Sequence, residues 1–219
     1  WENALPPYLK LAYLPNPGAV RLRLSAYEVE GESVAREIES RFEALRRIIP
    51  HNIIGFETAT MQEVVHKILT ERSLTLATAE SCTGGSIAAR FTAMPGASAY
   101  FLCGVVSYSN ESKAELLGVD PADIARYGAV SEQVARQMAE GARRVLKVDV
   151  AVSATGVAGP TGGTPQTPVG TVFLGVSSPK GTRVEECHFT GDRAQVRAQS
   201  AAHALEMALE ALEQEKSPD

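Results

Sequence analysis

Basic residues, cysteines, aromatics and long apolar runs are all scarce in this 219-residue chain, and each shortage removes a class of function. Lys and Arg total 21 against 26 Asp and Glu, a formal net charge of -5, so the cationic footprint of a nucleic-acid binder is missing. The three cysteines, Cys82, Cys103 and Cys187, are odd in number and form no C-x-x-C pair. That speaks against a disulfide framework or a zinc knuckle, and for a reducing compartment, taken to be the cytoplasm. No stretch of about 18 apolar residues occurs and no charged leader precedes an apolar core, so neither a membrane span nor export is expected. Aromatics make up only 6% of a composition that is 44% hydrophobic, so Ala, Val, Leu and Ile must build the core, which favours an α/β architecture. The four histidines, His51, His66, His188 and His203, sit in no catalytic motif, so a Ser-His-Asp triad is unsupported. The chain opens at Trp1 with no Met, as a piece of a longer protein would.

What the sequence does contain is organised around residues 75–90. Thr75 to Ala79 is a β-suited run that reaches Glu80-Ser81-Cys82-Thr83, passes Gly84-Gly85 and becomes a segment with helical spacing, Ser86 to Arg90. This predicts a strand, a turn and a helix. The turn places a hydroxyl, a thiol and a second hydroxyl beside unpaired N–H groups of a helix start, a setting that suits a nucleophile and an oxyanion. Ser81 or Thr83 acting as a plain N-cap is the bland alternative, and the turn alone does not decide between them.

Residues 1–58 read as a separate α+β module. Two alternating runs, Lys10 to Leu14 and Val20 to Ser25, flank the turn signal Pro15-Asn16-Pro17-Gly18 and predict a hairpin. A helix begins at Ser33, with Val34, Ile38, Phe42, Leu45 and Ile48 on one face, and Ile53 to Phe56 is expected to form a third strand. A β-β-α-β order of this size is KH-like, yet no Gly-x-x-Gly clamp occurs and Glu37, Glu39 and Glu43 intersperse Arg41, Arg46 and Arg47. The module reads as a spacer or scaffold.

Residues 59–219 alternate helix and strand. A helix over Thr60 to Glu71 precedes the organising turn, and a strand over Tyr100 to Ser109, expected to be buried, leads into a short helix carrying Lys113 and closed by Gly118. Pro121 to Ala125 reads as a turn or short helix. A helix over Glu132 to Leu146, capped by Ser131, comes before a buried strand over Val148 to Thr155 and the loop Gly156 to Pro165. Strands Gly170 to Ser177 and Arg183 to Phe189 then lead to a long helix from Arg193 to about Glu215. The expected fold is a layered α/β sandwich with a mostly parallel mixed sheet flanked by helices.

A serine is a poor nucleophile until a base takes its proton. With no histidine placed to do so, a lysine of depressed pKa is the remaining base, often assisted by a tyrosine hydroxyl. Tyr108 and Lys113 close a strand that would lie beside the one ending at Ser81, bringing all three to the carboxyl edge of the sheet, where open α/β sheets bind ligands. Cys82 is the rival nucleophile. The glycines of the Gly156 to Pro165 loop allow close backbone approach to a ligand, and Arg193 at a helix start suits a phosphate or carboxylate.

Taken together, Ala79 to Gly85, Tyr108-Ser109-Asn110 with Lys113, Gly128-Ala129-Val130-Ser131, Gly156-Val157-Ala158-Gly159-Pro160, Pro168 to Val172 and Gly191-Asp192-Arg193 resemble the C-terminal domain of the CinA family of competence/damage-inducible proteins. Residues 1–58 look like that family's linking domain, and the resemblance implies that its molybdopterin-binding-like N-terminal domain is not part of this chain. As a PncC-type domain it implies hydrolysis of the carboxamide of nicotinamide mononucleotide to nicotinate mononucleotide and ammonia, in pyridine nucleotide salvage. The resemblance implies no cofactor and no metal for that step, and a homodimer. It casts Ser81 as nucleophile, Lys113 as base and Tyr108 as the orienting hydroxyl. Cys82, Thr83, Gly84, Gly85, Asn110, Thr155, Gly156, Ala158, Gly159 and Arg193 are then expected to contact substrate, with the phosphate near the Gly156 to Gly163 loop or Arg193. A catalytically silent nucleotide-binding or scaffold domain is the alternative, and RNA binding through the first module is disfavoured by the acidic balance.

Overall fold

The structure, a computed structural model, describes residues 1–16, 19–49, 53 and 60–214. The chain divides into two compact units, Trp1–Ala59 and Thr60–Asp219. In the first, β1 (Leu9–Asn16) and β2 (Ala19–Ala26) pair antiparallel from Leu9↔Ala26 to Asn16↔Ala19, the hairpin that the Pro/Gly turn signal predicts. Helix α1 (Glu32–Ile48) follows, burying Val34 and Leu45. The Trp1 indole N–H donates to the Arg41 carbonyl at 2.7 Å and its ring lies 6.3 Å from that of Phe42. The strand expected over Ile53 to Phe56 lies outside the described residues, apart from Ile53, which joins no element.

The second unit opens on α2 (Met61–Glu71), started by a capping box in which Thr60 and Glu63 each accept from the other's backbone N–H. Its sheet runs in the order β4 (Phe101–Val106), β3 (Leu76–Glu80), β5 (Val150–Gly156), β6 (Thr171–Ser178), β7 (Gly181–His188). β3 pairs parallel with β4 and β5, whereas β5–β6 and β6–β7 are antiparallel, so the sheet is mixed and its parallel half surrounds the organising strand.

Side-chain alternation along β3 assigns the layers. Ala77 and Ala79 pack with Ala151, with Leu117 of α4 (Asn110–Leu117), with Ile124 of α5 (Pro121–Tyr127) and with Val134, Met138 and Ala142 of α6 (Glu132–Leu146). The residue between them, Thr78, and the following Glu80 face the other way, towards α3 (Ser86–Phe91), which packs with α2 and with α7 (Arg193–Gln214). Helices thus cover both faces. The meeting of α6 with α4 is close: a Cβ on Gly141 would lie 1.9 Å from the Leu117 carbonyl oxygen.

The strand expected to be buried between Tyr100 and Ser109 is instead the edge strand β4, with Leu102 53% and Val106 49% exposed. An apolar run fits either a central strand or an edge strand. Which it becomes depends on pairing partners that its own residues do not encode.

Candidate active site

The site forms where β3 and β4 end side by side. The Ser81 N–H donates to Ala154 O at 2.9 Å, continuing the β3–β5 ladder by one residue, and the Ser107 N–H donates to Glu80 O at 2.8 Å, continuing β3–β4. Both strands therefore deliver their last residues to one place. The chain then turns over Gly84 and Gly85, whose φ values of +58° and +94° are left-handed and cheap only for glycine.

Glu80 fixes this turn. Its side chain is fully buried and its carboxylate accepts the N–H groups of Gly85 (2.9 Å), Ile87 (3.0 Å) and Ala88 (2.8 Å), so the start of α3 is already satisfied from within the protein. Gly84 N–H donates to Ser81 O and Ser86 N–H to Thr83 O. Among the described residues the N–H groups of Cys82 and Thr83 meet no acceptor but the Cys82 sulfur, which leaves these two as the donors available to a developing oxyanion. Gly85 is among the residues expected to contact substrate, and its N–H is held by Glu80.

Lys113 enters from α4, whose own capping box pairs Ser109 with Ser112. It is only 1% exposed, and its Nζ lies 3.1 Å from Ser81 Oγ and 2.8 Å from Ser107 O. No carboxylate lies within ion-pairing distance of that amine among the described residues, and burial pushes its pKa below the ordinary lysine value. A neutral amine fits these contacts well: one N–H donates to Ser107 O while the nitrogen lone pair faces the Ser81 hydroxyl, which is 9% exposed on residue average. Cys82 is the opposite case. Burial, chiefly, raises its thiol to about 11, so it stays protonated and weakly nucleophilic near neutrality.

Tyr108 does not join the pair. It is 59% exposed, and its hydroxyl accepts from Arg193 Nη2 at 2.9 Å; it makes no hydrogen bond to Ser81 or Lys113. The orienting acceptor for the amine is a main-chain atom, Ser107 O, which leaves no trace in a sequence motif. Arg193 also donates to Gly159 O at 2.9 Å, joining the glycine-rich loop to Tyr108. Of the remaining expected residues, Thr155 is buried and donates to Ala129 O at 2.7 Å, Ala158 is buried, Gly156 ends β5 and Asn110 opens α4.

Two contributors escaped sequence reasoning. Glu80 is one. The other is Arg197, whose Nε and Nη2 donate to Thr83 O at 3.2 and 2.8 Å and whose Nη2 reaches Ser86 Oγ at 3.1 Å. The i, i+4 spacing of Arg193 and Arg197 puts both on one face of α7, and that spacing was the available signal. The hydroxyls of Thr83 and Ser107, in the turn after β3 and at the end of β4, are buried with no hydrogen-bond partner among the described residues.

The family model described as "CinA C-terminal domain" matches residues 58–212, most of the chain and all of this site. The chain belongs to the CinA family. A CinA-like protein of Flavobacterium psychrophilum is 44% identical over 208 residues, covering 94% of this chain and 50% of that protein. A CinA-like protein of Chlorobaculum tepidum is 46% identical over 209 residues, covering 93% and 49%. The chain thus spans about half the length of the curated relatives it matches. Among solved CinA structures, the competence/damage inducible protein CihA from Agrobacterium tumefaciens aligns with a TM-score of 0.67 at 38% identity, over 73% of this chain and 99% of that one. A CinA superfamily protein from Escherichia coli aligns at 0.62 and 34%, over 76% and 97%. No described helix of this CinA chain is long and apolar enough to cross a membrane.

Proposed function

We propose that this CinA-family chain hydrolyses the carboxamide of nicotinamide mononucleotide, with Ser81 as nucleophile and Lys113 as its base. The observation that carries the reading is the buried amine of Lys113, 3.1 Å from Ser81 Oγ, with its pKa lowered by burial. Ser81 Oγ attacks the amide carbon as its proton passes to Lys113 Nζ. The carbonyl oxygen becomes an oxyanion beside the N–H groups of Cys82 and Thr83. The C–N bond then breaks, Lys113 returns the proton to the departing nitrogen, and ammonia leaves behind an ester on Ser81. Water, deprotonated by the same amine, cleaves that ester to give nicotinate mononucleotide and regenerate the serine.

Neither a metal nor a cofactor is required, because the amine itself supplies the proton transfer. Arg193 and the loop beginning at Gly156 are assigned to the phosphate, and Tyr108, held by Arg193, to the wall of the same pocket. Asn110, Thr155 and Ala158 are assigned to substrate binding on the same reading. The same reading has the chain acting as a cytoplasmic homodimer, with the exposed apolar residues of edge strand β4 facing the second copy. Light scattering of the purified chain reports that state.

The test is ammonia release from nicotinamide mononucleotide in the presence of a chelator. Ser81→Ala should lower kcat by about 10⁴-fold or more, whereas Cys82→Ala should keep turnover within a few-fold. Full turnover in Ser81→Ala together with none in Cys82→Ala would overturn the assignment. Absence of ammonia from the unmodified chain would leave a nucleotide-binding role in place of catalysis.

A further inference from the structure

Residues that the proposed reaction does not use come together where β7 meets α7. Glu185 and Cys187, two apart on β7, point to the same face of the strand, and that face meets His203 of α7. Glu185 Oε2 lies 2.8 Å from His203 Nε2, and the donor atoms of Glu185, Cys187 and His203 all lie within 4.8 Å of one another. We propose that Glu185, Cys187 and His203 form a site for one divalent cation of the zinc class, which ties edge strand β7 to the C-terminal helix.

The donor set selects the ion. A thiolate, an imidazole and a carboxylate together suit a borderline-soft, tetrahedral ion and are a poor cage for calcium or magnesium, which take oxygen ligands. Bond lengths of about 2.0–2.3 Å around zinc put neighbouring donors roughly 3.3–3.8 Å apart, so closure from the present spacing asks for about 1 Å of side-chain movement. The surroundings already hold the ligands in place. Glu206 Oε2 sits 2.9 Å from His203 Nδ1, the carboxylate–histidine contact that fixes the imidazole tautomer and leaves Nε2 for a metal. Arg183 Nη2 pairs with Glu185 Oε1 at 3.0 Å, so Oε2 is the carboxylate oxygen left facing the cluster. Glu185 and His203 are half-buried, which lets a water take the fourth position.

His203 lies ten residues after Arg193, about 15 Å further along the helix axis, and the site carries no part of the amide chemistry. Its role is mechanical, and it stands whether or not nicotinamide mononucleotide is the substrate. The competing account of the same geometry is a protonated His203 bridging Glu185 and Glu206 with no ion.

Cobalt(II) titration of the chelator-treated full chain separates the two accounts. One equivalent should bring up a near-ultraviolet thiolate-to-cobalt band together with tetrahedral visible bands, and an equivalent of zinc should remove both. Cys187→Ser should abolish the band, the double variant Cys82→Ser/Cys103→Ser should keep it, and Glu206→Gln should weaken binding about 10- to 100-fold. Zinc should also raise the melting temperature of the unmodified chain but not of Cys187→Ser. The proposal fails if the unmodified chain shows no thiolate band, if the band survives in Cys187→Ser, or if the double cysteine variant loses it. If Cys187→Ser does not fold, the double variant decides alone, since Cys187 is then the one thiol left.

Discussion

Replacing Lys113 separates its chemical role from its structural one, because the replacement should remove turnover and yet spare or raise stability. An ordinary lysine with a pKa near 10.4 is unprotonated in only about 1 of 2,500 molecules at pH 7, and each unit of depression multiplies that fraction tenfold, or about 1.4 kcal/mol. Burial lowers the Lys113 value, with the amine 1% exposed and no carboxylate beside it. Turnover should therefore rise with pH through an apparent pKa below that of a free lysine. Lys113→Met should lower kcat by about 10²- to 10⁴-fold, and Lys113→Arg equally, since a guanidinium cannot accept the proton. Stability follows the same direction for a different reason. A folded-state pKa below the unfolded one means that the folded chain binds fewer protons between those two values, so the native amine costs stability as pH falls through that window. Below the folded pKa the cost is constant. Lys113→Met removes a buried ionisable group and should melt at or above the unmodified temperature, with the difference growing as pH falls. Melting curves across pH, paired with ammonia release, read both effects. A Lys113→Met variant that turns over normally, or one whose melting temperature falls most at low pH, would refute the argument.

Two further perturbations test the frame around that pair. Arg197→Ala frees Thr83 O and should lower kcat more than it changes KM, with a stability loss of about 1–3 kcal/mol in urea; Arg197→Lys should restore turnover only in part, because an ammonium does not reproduce the planar fork whose Nε and Nη2 both donate to Thr83 O. Gly141→Ala would gain about 1 kcal/mol in helix propensity. Its Cβ, however, would lie 1.9 Å from Leu117 O, and forcing α6 away from α4 should cost about 1–3 kcal/mol or more, so the urea midpoint should fall. A raised midpoint contradicts the close packing.

The helices and strands of residues 60–214 were legible where periodicity, caps and glycines agreed. Thr60, Ser131 and Gly118 each close or open a helix as their types suggest. The encounter of Ser81 with Lys113 was legible too, because a parallel pair of strands delivers both residues to one edge. What the sequence hid depends on atoms without a sequence signal or on neighbours chosen by the whole fold. Ser107 O is main chain. Glu80 carries no sign in the sequence of the three amides that surround its carboxylate. Tyr108 stands next to Ser107, yet it is exposed and bonded to Arg193. The apolar residues of β4 do not reveal that one of its sides has no partner strand among the described residues.

The two members of the Ser81–Lys113 pair hang from strands of unequal security. Ser81 follows an interior strand paired on both sides, while Lys113 follows the outermost one, held on a single side. Rims of sheets open more readily than their middles. Heat or denaturant would then part the amine from the hydroxyl while most of the sheet is still intact, and this chain would fall silent before it unravels.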